Sequence, residues 1–181
     1  MVNSIFEMKM FKWLGIKLIR RAARKELTRQ SKRKVSKPEH IRKIGVLIDT
    51  KNSVHSEEIQ KELAASSYAE ASITFFQYDA RIKENSDTGS GFFGPSDFNF
   101  AGVPSAKVQK FCATKFDLLI NYFTENNPYL QLISLRSKSN FRVGFSEVDS
   151  QLNDLIFAVP QTEPQLFCAQ MNTYLNSITN K

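Results

Sequence analysis

The sequence predicts an α/β fold in which a basic helical arm precedes a small, doubly wound and mostly parallel sheet of about five strands. Three observations predict it. Short apolar segments alternate with amphipathic segments after residue 43, which is typical of parallel strands joined by helices. The length of 181 residues suits one domain with an appendage. The segment before residue 44 is strongly basic and rich in helix-forming residues.

Charge divides the chain into two parts. Residues 1–43 carry 14 Lys and Arg against three Glu, a net charge of +11, whereas residues 44–181 carry a net charge of −4; together they give +7 for the whole chain. We therefore assign residues 1–43 to a basic helical N-terminal arm with its linker, and residues 44–181 to a single α/β domain. Such asymmetry indicates an arm that seeks a polyanion, either nucleic acid or an anionic membrane surface.

The arm is expected to form a long helix, since residues 5–34 contain no Pro and only one Gly. Its first half, up to Ile19, is mostly apolar, and its second half, from Arg20, is basic. Pro38 is expected to break the helix, because proline lacks a backbone donor and disfavours helical geometry at Lys37.

The first element of the domain is a predicted strand at 44–49, a nearly continuous apolar run that ends at Asp49 in a polar loop. The next helix is expected to have Ser56 as its N-cap. Further strands are predicted at 72–78, 116–123, 141–145 and 155–159, and further helices at 106–113, 127–136 and 163–178. A long irregular loop is predicted between Ile82 and Pro104, with a short extended piece around Phe98. The alternation makes the predicted sheet Rossmann-like.

The sequence offers little chemistry for catalysis. Gly89–Gly94 spells GxGxxG, but that dinucleotide fingerprint must join the first strand to the first helix, and here it lies inside a long loop. The turn after Asp49 contains no Gly. His40 and His55 are the only histidines, without paired cysteines or clustered acids to form a metal site or a catalytic triad. We predict no cofactor, no metal and no catalytic residue; Asp49 has an alternative interpretation as a ligand-binding group.

Cysteine usage and the N-terminal residues predict a cytoplasmic protein. Cys112 and Cys168 lie in apolar segments without metal-binding spacing, which is typical of buried free thiols in a reducing compartment. Lys9, Lys12 and Lys17 interrupt every apolar run that could serve as a signal peptide. No segment approaches the ~20 apolar residues of a membrane span.

The basic arm carries the predicted binding site. Its cations recur at spacings of one to five residues, so on a helix they cover more than one face, which suits a nucleic-acid groove better than a flat membrane. Glu26 is the only acid between Lys9 and Pro38, so the arm cannot neutralise itself. The predicted RNA-binding residues are Lys9, Lys12, Lys17, Arg20, Arg21, Arg24, Lys25, Arg29, Lys32, Arg33, Lys34, Lys37, Arg42 and Lys43.

Three segments carry a resemblance to a known family. Phe98–Pro104, Phe116–Leu130 and Ser139–Phe145 resemble an uncharacterised family of small proteins from the Bacteroidota, particularly flavobacteria, over residues 40–181 and most of the arm. The resemblance brings no catalytic motif and implies an accessory protein of the large ribosomal subunit confined to that phylum. Phe116–Ile120 and Arg142–Phe145 are also distantly similar to the first domain of heptosyltransferase-like glycosyltransferases, whose second, nucleotide-sugar domain this chain lacks.

The leading hypothesis is a non-enzymatic structural protein of the large ribosomal subunit, whose partners are rRNA and neighbouring ribosomal proteins, with no DNA expected. Trp13, Phe11 and Phe6 would pack on the domain or stack on bases, and packing is favoured. One alternative is a peripheral membrane protein with the apolar segment inserted and the basic segment on anionic lipid. A second alternative is a Rossmann-like enzyme of glycosyltransferase type, acting near Asp49 and Asn121.

Overall fold

A computed structural model of the chain describes residues 2–30, 33, 35, 38, 40–52, 54–82, 91–99 and 101–179. Within these residues the structure has five α-helices and six strands. In chain order they are α1 (Val2–Gln30), β1 (Lys43–Asp49), α2 (Val54–Ala64), β2 (Ser72–Tyr78), β3 (Phe92–Phe93), α3 (Ala106–Ala113), β4 (Lys115–Tyr122), α4 (Pro128–Arg136), β5 (Lys138–Phe145), β6 (Leu155–Phe157) and α5 (Pro164–Thr179). Single 3₁₀ turns follow β1, β3 and β5.

The six strands form one parallel sheet in the order β3-β2-β1-β4-β5-β6. This order reverses direction between β1 and β4, as in doubly wound folds, and it confirms the predicted α/β, Rossmann-like class. The sheet has six strands rather than about five. The additional strand is β3, two residues that pair with the end of β2 inside the segment predicted to be a loop. Two residues are too short for an alternation pattern.

The two faces of the sheet are covered by different helices. One face packs against α1, α3 and α4, with core residues such as Leu47, Phe111 and Leu130. The opposite face packs against α2 and α5, with Ile59 and Phe167 among its core residues. Because both faces are buried, the central strands β1 and β4 are nearly continuously apolar, which is the pattern that the sequence showed.

The second half of α1 belongs to the same hydrophobic core as the sheet. Ile19 and Ala23 are buried there, and Leu27 packs against its margin. Helix α1 runs in the same direction as α4: Arg20 lines one concavity with Pro128 at the start of α4, and Gln30 donates to the carbonyl of Leu135 at its end, at 2.6 Å. The part of the predicted arm from about residue 16 to Gln30 is therefore docked on the domain.

Two helix boundaries differ from the predictions. Helix α2 begins at Val54, so Ser56 lies inside its first turn and the predicted N-cap is wrong. Helix α1 ends at Gln30 and Arg33 is not helical, so the helix ends before Pro38, the residue expected to break it. Helix α4, predicted at 127–136, spans Pro128–Arg136. Asn127 is its N-cap, and the Asn127 side chain accepts a hydrogen bond from the backbone N–H of Tyr129, at 3.0 Å.

Candidate nucleic-acid interface

The position of α1 on the domain determines which of its cations face solvent. Ile19, Ala23 and Leu27 recur every four residues and form the docked stripe. At about 100° per residue, this stripe occupies one side of the helix. The residues classed as exposed from 17 to 29 are six cations and Thr28. The exposed face is therefore almost entirely cationic.

We call this exposed face the basic ridge. It consists of Lys17, Arg20, Arg21, Arg24, Lys25 and Arg29. With a rise of 1.5 Å per residue the ridge is about 18 Å long, and its side chains spread over roughly half of the helix circumference. The cations were expected to cover more than one face of the helix. Because the opposite side is docked on the domain, the exposed cations cover about half of the circumference.

The N-terminal end of the ridge is apolar and exposed. Trp13 and Leu14 have relative exposures of 56% and 46%. The ammonium of Lys17 lies 3.6 Å from the centroid of the Trp13 ring, a cation–π contact. The expected packing of Trp13 on the domain is wrong, because the exposed ring contacts its own helix instead. The side chains of Phe6 and Phe11 lie outside the described residues.

The other predicted RNA-binding residues have different environments. The guanidinium of Arg33 donates to the carboxylate of Asp154 and to the carbonyl of Ser139, and only a fifth of its side chain is exposed. Arg42 and Lys43 are exposed. Lys9 and Lys12 lie in α1, but their side chains are outside the described part, as are Lys32, Lys34 and Lys37 entirely.

Two further cations, not predicted from the sequence, lie on the same side of the sheet as Arg42 and Lys43, whose backbone N–H groups donate to the carboxylate of Asp117. Strands β1, β4 and β5 begin on one side of the sheet, which we call the amino edge, and Lys115 pairs with Lys138 there in the β4–β5 register. Both lysines are exposed. In the sequence they are isolated cations in an acidic domain, so only the strand pairing reveals that they lie together.

Two concave surfaces flank the basic ridge. A groove of about 420 Å³ lies between α1 and the first turns of α4, and Arg20 and Arg24 line it together with Asn126, Gln131 and Asp149. A second concavity of about 450 Å³ lies on the other flank, between the last turns of α1 and α4 and the start of β5. Arg29, Arg33, Arg136, Lys138 and Arg142 line it. The ridge thus stands between two depressions that each contain arginine.

The opposite side of the sheet, the carboxyl edge where the strands end, is where doubly wound proteins bind ligands. Asp49 is buried there, and its carboxylate accepts the backbone N–H of Lys51 at 3.0 Å, which is a turn-stabilising role. Lys51 reaches across the switch point between β1 and β4 and pairs with Glu125 at 2.9 Å. The amide of Asn121 donates to Asn153 at 2.7 Å. These contacts link the polar groups of the edge to one another.

Tyr122 and Gly94, a residue of the GxGxxG segment, lie at the same edge, and both are closely packed there. The Tyr122 hydroxyl donates to the carbonyl of Gln161 at 2.6 Å, and burial raises the pKa of Tyr122 well above its usual value. In the loop, a Cβ on Gly94 would lie 2.5 Å from the carbonyl oxygen of Asp79. Close approach between β2 and β3 therefore accounts for this glycine.

Both cysteines are free thiols. Burial raises the pKa of Cys112 to about 11 and that of Cys168 to about 12, so both thiols are neutral at pH 7. The described residues contain no group of three or more His, Cys, Asp or Glu that could hold a metal ion. Among the described helices, none is long and apolar enough to cross a membrane.

Comparison with known proteins supplies a family. No curated protein and no solved structure gives a significant match to the chain. Residues 16–178 match a family described as a family of unknown function, DUF6913. The matched range begins where α1 starts to contact the domain and ends within α5, so it includes the docked half of α1, the basic ridge and the whole sheet. The chain belongs to this family, DUF6913, whose function is unknown.

Proposed function

We propose that the protein is a non-enzymatic, structural RNA-binding protein, an accessory component of the large ribosomal subunit in the cytoplasm. The observation that carries the proposal is the basic ridge, which presents six cations along about 18 Å of exposed helix. Its partners would be rRNA and neighbouring ribosomal proteins. The ribosomal assignment itself rests on the sequence resemblance.

The ridge is suited to a polyanion because little within the protein neutralises it. Glu26 is the only acid of α1 beyond residue 7. Its carboxylate lies 3.8 Å from the guanidinium of Arg29 and 3.8 Å from that of Arg136. At that distance the arginines keep their hydrogen-bond donors available for phosphate oxygens. Phosphates that replace condensed counterions on such a surface give binding that weakens steeply with salt.

The shape of the surface favours RNA over a membrane. A helix that lies in a bilayer interface inserts apolar side chains along its length. Between Lys17 and Arg29 the exposed residues of α1 are cations and Thr28, and among the side chains of α1 that the structure describes, from Trp13 to Gln30, the exposed apolar ones are Trp13, Leu14 and Ile16. A flat headgroup layer would contact the crest of the ridge. A folded RNA can also place its backbone in the depressions on either side.

The carboxyl edge gives less support to the enzyme alternative. Asp49 and Asn121, the residues named for it, have hydrogen bonds to the backbone of Lys51 and to the side chain of Asn153. The Asp49 contact stabilises the turn after β1, and the Asn121 contact joins β4 to the segment before β6. The Oδ1 atom of Asn121 is buried and has no hydrogen-bond partner among the described residues. A structural function is consistent with that arrangement.

The proposal is tested by fractionating lysate on a sucrose gradient at low and high salt and locating the protein. Deletion of residues 1–37 would remove Ile19 and Ala23 from the core and unfold the domain. Charge reversal on the ridge leaves the core intact, because Arg21, Arg24 and Lys25 are exposed. The wild-type protein is expected to travel with the large subunit, and the variant Arg21→Glu, Arg24→Glu, Lys25→Glu to remain near the top of the gradient.

The matched control reverses three exposed cations elsewhere, Lys61→Glu, Arg81→Glu and Lys110→Glu, with the same change in net charge. This control should still travel with the large subunit. If the wild-type protein is found in the membrane fraction or in the soluble pool, the ribosomal proposal is wrong. If both triple variants dissociate equally, the ridge is not the interface.

A further inference from the structure

A concavity lies on the flank of α1, between the ends of α1 and α4 and the start of β5, and most of the charged side chains that line it are cations. We call it the Arg142 pocket. Five cations line it, namely Arg29, Arg33, Arg136, Lys138 and Arg142. The acids beside them are Glu26 in its wall and Asp154, which pairs with Arg33. Five positive charges against these two leave a local excess of +3.

Arg142 is the buried centre of the pocket, with 3% of its surface exposed. Its guanidinium donates to the Ser139 hydroxyl, to the Gln30 side-chain oxygen at 3.1 Å and to the carbonyls of Leu135 and Ser137. These acceptors are neutral, and the hydrogen bond between Arg142 and Asp154 involves the backbone N–H of Arg142 rather than its guanidinium. The hydrogen bonds therefore fix the guanidinium in place without cancelling its charge.

The positive charge of Arg142 persists at neutral pH. Burial, together with the neighbouring positive charge of Arg33, lowers the pKa of Arg142 to about 10, and Asp154 offsets only part of this effect. A group with that pKa remains protonated at pH 7. An anion in the pocket would relieve the unfavourable burial of this charge, since opposite charges attract more strongly where solvent screens them less.

The rim of the pocket supplies donors that an incoming anion can reach. The side chain of Arg29 is 82% exposed and that of Arg136 is 32% exposed, and Lys138 is exposed beside them. A guanidinium with its planar fork and an ammonium are the groups that most often bind phosphate oxygens. The rim thus combines two guanidinium groups and one ammonium around a concave, positively charged floor.

From this arrangement we infer that the Arg142 pocket is a phosphate subsite that takes one backbone phosphate of the bound RNA, held by Arg29, Arg136 and Lys138. The inference rests on the proposed function and adds a defined contact to it. RNA is favoured over a lipid headgroup because the pocket lies beside the helix, about 24 Å along its axis from the exposed Trp13. A bilayer that inserts Trp13 would meet the other end of α1.

The test compares Arg136→Gln, Lys138→Gln with the matched control Lys61→Gln, Lys110→Gln in the full-length protein. Affinity for purified large-subunit rRNA is measured against KCl concentration. Loss of one phosphate contact is expected to make the slope of log affinity against log salt less steep by about one and to weaken binding roughly tenfold at 0.1 M KCl. The control should match the wild-type protein in both quantities.

A single exposed change, Lys138→Glu, repeats the test without touching Arg136, which contacts Glu26. A circular-dichroism melt of each variant verifies the fold. If the pocket variants bind rRNA with the wild-type slope while the ridge variant does not bind, the subsite is wrong and the proposed function stands. If the wild-type protein does not bind rRNA, or binds only phosphatidylglycerol vesicles in a pocket-dependent way, both proposals are wrong.

Discussion

The amino and carboxyl edges of the sheet treat charge in opposite ways. At the amino edge, Arg42, Lys43, Lys115 and Lys138 are exposed, and Arg142 is buried behind them with neutral acceptors. At the carboxyl edge the described cations pair with acids, Lys51 with Glu125 and Arg81 with Asp79. Asp117 and Asp154 offset only part of the positive charge at the amino edge: Asp117 accepts the backbone N–H groups of Arg42 and Lys43, and Asp154 pairs with Arg33. At the carboxyl edge, Lys51 and Arg81 each have an acidic partner.

The exposed positive charge does not lie where proteins of this fold usually bind their ligands. In doubly wound proteins the ligand lies at the carboxyl edge, at the switch point of the strand order. Here the switch point is bridged by Lys51 and Glu125, whereas the surplus of positive charge lies at the amino edge and along α1. The same architecture therefore supports a different kind of surface, since fold alone does not determine function.

The largest effect is expected when the buried charge of the amino edge is removed. Arg142→Met should lower the free energy of unfolding by about 2–4 kcal/mol, because the carbonyls of Leu135 and Ser137 and the Gln30 oxygen lose their donor. Urea denaturation measures the loss. Ser139→Ala, which removes one acceptor of Arg142, should cost about 1 kcal/mol. Equal losses in the two variants would show that the hydrogen bonds of Arg142 to Leu135, Ser137 and Gln30 contribute no stability beyond its bond to Ser139.

The same variant gives a pH test. The pKa of Arg142 is lowered to about 10 in the folded protein from the usual 12.5, so above pH 10 the unfolded chain binds the proton more tightly. The contribution of Arg142 to the free energy of unfolding therefore rises with pH only between about pH 10 and pH 12.5. Below about pH 9, the stability difference between the wild-type protein and Arg142→Met should be constant. Urea denaturation at pH 6 and at pH 8.5 measures this.

A smaller effect is expected from the exposed cations, and it should differ between the edges. Arg42→Gln, Lys43→Gln at the amino edge is predicted to weaken rRNA binding about tenfold, as expected for one lost phosphate contact. Lys51→Gln, Arg81→Gln removes the same charge at the carboxyl edge and should change affinity less than about twofold, because both cations are already paired. Filter binding at fixed salt compares the two. Equal losses would mean that net charge, rather than position, controls binding.

The smallest effect concerns the ion pair across the switch point. Lys51 and Glu125 are both about two-thirds exposed. Lys51→Ala, Glu125→Ala and the double variant should each leave the free energy of unfolding unchanged within the error of urea denaturation, because solvent screens the pair. A double-mutant cycle in urea gives the coupling energy. A coupling energy clearly above that error would show that the ion pair stabilises the carboxyl edge.

Much of the fold was predictable because its strands are buried on both faces. The runs at β1 and β4 are apolar throughout, and the intervening helices have clear boundaries. β3 escaped prediction because two residues carry no pattern. The start of α2 was misplaced because serine is a typical N-cap residue, whereas the structure places Ser56 inside the first turn of the helix.

The candidate interface was predictable only in part. Composition identified the cations of the ridge, and the structure leaves six of them exposed. Composition also included Arg33, which instead pairs with Asp154, a residue 121 positions away. Lys115 and Lys138 were missed because they become neighbours only through strand pairing. Contacts between distant parts of the chain determine which charges remain available, and such contacts have no local signal in the sequence.

The docking of α1 has a consequence for the order in which the protein is made. Gln30 bonds to Leu135, which lies 105 residues later in the chain. At a synthesis rate of 5–20 residues per second, the helix therefore waits roughly 5–20 s for its partner surface to be made. During that interval Ile19 and Ala23 cannot be buried in the core, whereas the cations of the basic ridge have already been synthesised. The most basic segment of the chain is therefore synthesised before the domain that orients it.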